Sequence, residues 1–308
     1  MLDSDLVRAR HEAAAAGSVG ARKITITREF DVLQKRERDL TERVDLGGGE
    51  TDIFEGAGLE ELLHTFAEDE VVAEDSLKLV SALLQRKVNL LVFADLREEQ
   101  NRLLLSEQSL SDAASRYTEL ASRWVAMNAQ GDPARGCTLS KLEKDEKEIE
   151  QGCVRMEEAD TAAEDAERAL ERIRVILHDA VDWVPGDTAK EKDTAILRPE
   201  RLGSADPLIG AAQLALSRVR RVLEEVGDLD AGEFQVDLLS GFAEKCIEGL
   251  VIDLAEKDGT DRALRPVTWT LTTIRALRGH LSRMRGNARH RLEEVRTRRA
   301  QILQRGSR

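Results

Sequence analysis

The sharpest chemical spacing in this chain is Glu61-x-x-His64. On one helix face a carboxylate and an imidazole at that spacing can ligate one iron of a di-iron centre. Such a centre needs a second Glu-x-x-His and two further carboxylates, and the sequence holds no second Glu-x-x-His. An ordinary amphipathic helix is the preferred reading. His290 and Glu294 are one helical turn apart, but no His-Glu-x-x-His accompanies them to make a zinc site, so they read as a solvated pair. Gly47-Gly48-Gly49 lacks the Lys-Ser/Thr that a phosphate loop requires, and Glu50 and Asp52 would repel an anion. No Gly-x-Ser-x-Gly is present, and the five histidines are scattered. These observations point away from an enzyme, and no catalytic residue, metal or cofactor is expected.

Arginine is the residue type with a physical argument behind it. From Arg275 to the end there are 11 Arg, no Lys and two acids, a net of +9, which leaves −22 for residues 1–274 of a chain that totals −13. Arg275, Arg278, Arg285, Arg289, Arg296 and Arg299 flank an apolar stripe, while Arg283, Arg291 and Arg298 carry charge around the helix. Guanidinium groups grip phosphate bidentately, so these six are candidate anion-binding residues for nucleic acid or an anionic membrane surface. The competing reading is internal: an acidic body can pair with this helix, or with that of a second copy.

The elements that must position such residues are helices. Charged residues make up 34% and aromatics 3%, against 41% hydrophobic, a composition that folds but disfavours a sheet core. The N-terminal residues show no secretory signal. The longest uncharged apolar run, Val88–Ala94 interrupted by Asn89, is far short of a membrane span. Three cysteines without Cys-x-x-Cys spacing suit reduced thiols in a cytoplasmic protein.

Residues 1–20 contain a short helical stretch, Leu6–Ala16, and then Gly17 and Gly20, and read as a flexible N-terminal arm. A helix carrying Ile26, Phe30, Leu33, Leu40 and Val44 follows, and the tri-glycine ends it. Residues 75–130 and 138–184 keep apolar residues at three- and four-residue spacing on either side of Gly131-Asp132-Pro133, which predicts a long antiparallel hairpin with a coiled-coil-like seam. Folding about residues 133–134 pairs Tyr117 with Ile149, Leu103 with Ala163 and Leu84 with Trp183. Ser140 and Glu143 form a candidate capping box for the second arm. Residues 185–206 read as a linker, and 207–308 as a C-terminal helical segment ending in the arginine-rich helix.

The expected fold is all-α and elongated, a hairpin packed at its base into a multi-helix bundle. Val88, Leu90, Val92 and Phe93 face nearly every direction around one helix, so they are the candidate interaction surface. The functional expectation is a non-enzymatic scaffold or adaptor working through a protein partner or homo-oligomerisation. The alternative is a peripheral binder of nucleic acid or anionic membrane through the arginine helix.

Overall fold

The computed structural model describes residues 2–46, 74–184, 194–197, 205–226, 239–256 and 260–305. They form an all-α protein of seven helices: α1 (Leu2–Leu46), α2 (Glu74–Ser109), α3 (Ala113–Ala129), α4 (Pro133–Asp179), α5 (Ala205–Val226), α6 (Phe242–Glu256) and α7 (Asp261–Arg305). One short antiparallel ribbon, β1 (Val181–Val184) with β2 (Thr194–Leu197), caps the end of α4. Trp183 therefore belongs to a strand that pairs with Ala195, and part of the expected linker is ordered against it. Gly47–Gly49, Glu61 and His64 lie outside the described residues.

The N-terminal arm expected at residues 1–20 is instead the first part of α1, which runs 45 residues through Gly17 and Gly20 without a break. A helical glycine costs about 1 kcal/mol relative to alanine. Packing offsets it here: Leu6, Ala9, Ala13, Ile26, Leu33, Leu40 and Val44 keep one side of α1 buried over its whole length.

The chain does reverse where the sequence places the turn. Gln130 and Gly131 take positive φ (53° and 82°), and the Asp132 carboxylate accepts from Ala134 N and Arg135 N at the head of α4. Pro133 fills the first helical position, where its missing N–H costs nothing. Helix α4 thus starts seven residues before the expected capping box, and Glu143 lies well inside it, free for another task.

Beyond that tip the partners differ from the expected register. An elbow at residues 110–112 separates α2 from α3; Ser109 Oγ donates to Ser106 O just before it, competing with the helical ladder. Helix α3 packs against the head of α4 and along α1, whereas α2 packs chiefly on α1, with Phe30 and Phe93 rings 5.8 Å apart. The apolar stripe of α4 is covered by α5 and α7. Pairing by sequence proximity considered only neighbours in the chain, while the stripes of α1, α5 and α7 compete for the same surfaces.

The largest core lies at the base, where Leu170, Ile173 and Leu177 meet Leu216, Leu250 and Ile274. A second, smaller core lies at the tip, where Leu6, Trp124 and Leu139 are buried against Ile302 and Leu303. At about 1.5 Å per residue, the 45- and 47-residue helices α1, α4 and α7 are each about 70 Å long.

Helices α6 and α7 meet at a point that only glycine allows. A Cβ on Gly249 would stand 2.6–2.7 Å from the backbone of Arg262 and Ala263. Pro266 sits one turn farther on, where it has no N–H to donate to the Arg262 carbonyl.

Candidate functional site

The α4–α7 seam is where the sequence-nominated arginines go. The two helices run antiparallel, and their charges step past each other along the full seam. Arg275 engages Glu167 and Glu171, and Arg278 engages Asp160 and Glu167 at 3.1 and 2.8 Å. Arg285 lies 3.9 Å from Asp160. Farther along, Arg296 donates to Glu146 at 3.0 Å and Glu150 at 2.6 Å, and Arg299 donates to Glu143 at 3.2 Å. Five of the six candidate anion binders are thus ion-paired to α4, and Arg289 is exposed. This is the internal pairing that competed with phosphate binding in the sequence.

The tip end of this seam holds a residue that the sequence did not nominate. Arg10 of α1 is 2% exposed and reaches Glu143 and Glu146 at 3.3 Å and Glu150 at 3.0 Å. Three arginines (10, 296, 299) therefore face three glutamates (143, 146, 150) from three helices, a neutral node. Burial pushes the Glu143 carboxyl up and Arg10 only partly offsets it, so its pKa stays raised. Burial acts on Glu146 too, but the Arg296 hydrogen bond, with Arg10 and Arg299, outweighs it and holds that carboxyl low. Trp124 closes the node: its indole N–H donates to Asp3, and the Arg299 guanidinium lies 5.6 Å from its ring. Tyr117 lies under Lys147 at 4.2 Å, and burial, with Glu143, pushes its hydroxyl up to about 12.

A second node sits midway, on α1, α2, α4 and α5. Arg221, 1% exposed, engages Glu29 at 3.1 Å, Asp95 at 2.9 Å and Glu99 at 3.0 Å. Arg22 binds Glu225 and Glu158, and Arg218 binds Asp95. Burial pushes Asp95 up, but Arg218 and Arg221 outweigh it and its pKa is lowered.

The candidate interaction surface divides. Val88 and Val92 are buried and belong to cores, so they are not available to a partner. Phe93 is half-buried against Phe30, and only Leu90 is exposed. All-round hydrophobicity here meant neighbours within the chain.

Chemically, both nodes are closed ion-pair sets. Among the described residues no group of three or more His, Cys, Asp or Glu side chains is placed to hold a metal. Cys246 is fully buried, and burial pushes its thiol up to about 12. His290 pairs with Glu294 at 3.4 Å on the exposed side of α7. No described helix is long and apolar enough to cross a membrane.

The buried charges were legible only as anomalies. Arg10 interrupts the small-residue stripe Leu6–Ala13, and Asn89 interrupts the most apolar run in the chain. Nothing in the sequence names their partners, which lie on distant helices. No family model, no curated protein and no solved structure matches this chain.

Proposed function

We propose that this protein is a helical scaffold or adaptor that works through contacts with another protein or with copies of itself. One observation carries the reading: α4 and α7, each about 70 Å long, pack antiparallel with their register set by arginine–carboxylate pairs along the length, and Arg10 ties α1 into the same seam. A buried ion pair adds little net stability, but it penalises every register that leaves a charge unpaired. A rod that resists sliding holds two attachment points at a fixed distance, which is what a spacer requires. Helix α2 also leaves Leu90, Leu104 and Leu105 exposed, at 52%, 43% and 69%.

The test is small-angle scattering with sedimentation equilibrium over a range of concentrations. The expected result is an extended particle that self-associates or binds a partner, with Leu104→Glu/Leu105→Glu reducing the association. A compact profile, or an extended particle that remains monomeric and captures nothing, counts against the scaffold.

A second reading has a specific observation of its own. Arg283, Arg291 and Arg298 are exposed on α7 and make no ion pair or hydrogen bond with another described residue. They leave a cationic strip for phosphates on a side of α7 away from its buried apolar face. That apolar face is committed to the core, which favours a nucleic-acid backbone over insertion into a membrane surface. Replacing these three by Gln should abolish any salt-sensitive co-sedimentation with duplex DNA; unchanged binding removes the strip from the account.

A further inference from the structure

We propose that the cleft enclosed by α1, α2, α5 and α6 is a binding site for the primary carboxamide group of a small uncharged molecule. The cleft has a volume of about 70 Å³. Leu33, Val88, Val92 and Ala243 give it apolar lining, and Glu29, Gln85, Asn89, Gln213 and Arg220 give it polar lining.

Its polar groups fix what a ligand must bring. Asn89 is 4% exposed; its Nδ2 donates to Glu37 Oε2 at 2.9 Å and to Leu33 O at 3.4 Å. Both are pure acceptors, so the amide is locked in that orientation and its Oδ1, which has no partner, is left for the cleft. Gln85, one turn earlier and 5% exposed, donates from Nε2 to Ser81 Oγ at 3.0 Å and leaves Oε1 unpartnered. The Arg220 Nε–H is buried without a hydrogen bond, since Glu224 lies 3.8 Å away. Gln213, the remaining amide, is already satisfied by Leu239 O and Ala243 N.

Among the lining residues, the buried side-chain atoms without a hydrogen-bond partner are thus two acceptors, Asn89 Oδ1 and Gln85 Oε1, and one donor, the Arg220 Nε–H. A primary carboxamide supplies the complement: two N–H hydrogens and one carbonyl oxygen. Charge gives the same answer, because Glu29 pairs with Arg220 and Arg221 and Arg36 pairs with Glu244, which leaves no net charge for an ion. Size also agrees: a water needs about 10–15 Å³ of such space, so the cleft suits a group of roughly four to six heavy atoms. The Arg36–Glu244 pair and the exposed Val32 stand among the lining residues, at the more accessible side through which a substituent would emerge.

The experiment is a titration of the full chain, followed by NMR and by crystal soaking, with acetamide and with N,N-dimethylacetamide. The second probe keeps the carbonyl and lacks both hydrogens. Saturable binding of acetamide, with its nitrogen at Asn89 Oδ1 and Gln85 Oε1, is the expected result, at least about tenfold tighter than the dimethyl compound. Gln85→Met, which keeps the helix and the side-chain volume, should weaken acetamide by about tenfold without loss of helicity. Equal binding of the two probes, or ordered water alone at these oxygens with acetamide present, overturns the proposal. Should Gln85→Met fail to fold, the probe pair on the unaltered chain decides the matter by itself.

Discussion

At the tip, Arg10, Glu143 and Glu146 are each no more than 2% exposed; near the base, Arg275 and Arg278 of the same α4–α7 seam are 54% and 31% exposed. The chemistry is identical, guanidinium against carboxylate, and the distances overlap. What differs is water. At the base, solvent screens the pairs and takes over their partners when one is lost. At the tip, losing Arg10 leaves Glu143 and Glu146 buried with only Arg296 and Arg299 as counter-charges and little water to compensate. Burial, more than contact geometry, determines how strongly each end specifies the fold.

The comparison can be broken by unequal mutational costs. Arg10→Ala should destabilise the protein by about 3–5 kcal/mol in urea unfolding, because Glu143 and Glu146 lose a buried counter-charge. A loss below about 1 kcal/mol would mean that the tip is as wet as the base. Replacing the four charges together (Arg10→Met, Glu143→Leu, Glu146→Leu, Arg299→Met) should return stability to within about 2 kcal/mol of the parent, since an apolar set of similar volume removes the desolvation cost. Continued severe destabilisation would show that the pairs contribute attraction beyond register.

Acid sharpens the contrast between two glutamates of one node. The folded-state pKa of Glu146 is lowered, so its contribution is present above the unfolded value and is lost as pH falls through the folded one. Asp95 behaves the same way at the midway node. Glu143 is raised, so its contribution is present below the unfolded value and lost as pH rises through the folded one. Glu146→Gln should therefore flatten the acid limb of a stability–pH curve, and Glu143→Gln should leave that limb in place. The smallest effect belongs to the base: Arg278→Gln should cost about 0–1 kcal/mol and lose that effect in 1 M salt.

The sequence carried the helical class, the turn at Gly131-Asp132-Pro133 and the opposition of an arginine helix to an acidic body. It did not carry the partner of each helix. Leu170, Ile173 and Leu177 announce a buried stripe, but a periodic stripe says nothing about whether α2, α5 or α7 covers it. Glycines misled at residues 17 and 20, where local propensity predicts a break and tertiary burial of Leu6 and Ile26 overrides it. Ser140 and Glu143 read as a capping box by their spacing alone, whereas the true start, Asp132 with Pro133, lies about two turns upstream. The node itself was illegible, since Arg10 and Glu143 stand 133 residues apart.

That separation has a consequence for synthesis. As the chain leaves the ribosome, Arg10 is carried in water until Glu143, Glu146 and Glu150 follow, and Arg296 and Arg299 arrive only with the last helix. Contacts this remote in sequence close slowly and late. Helix α1 can cover its apolar side with α2 and α3 as they emerge, but the tip node stays incomplete until α7 is delivered, and its carboxylates must keep their water until then.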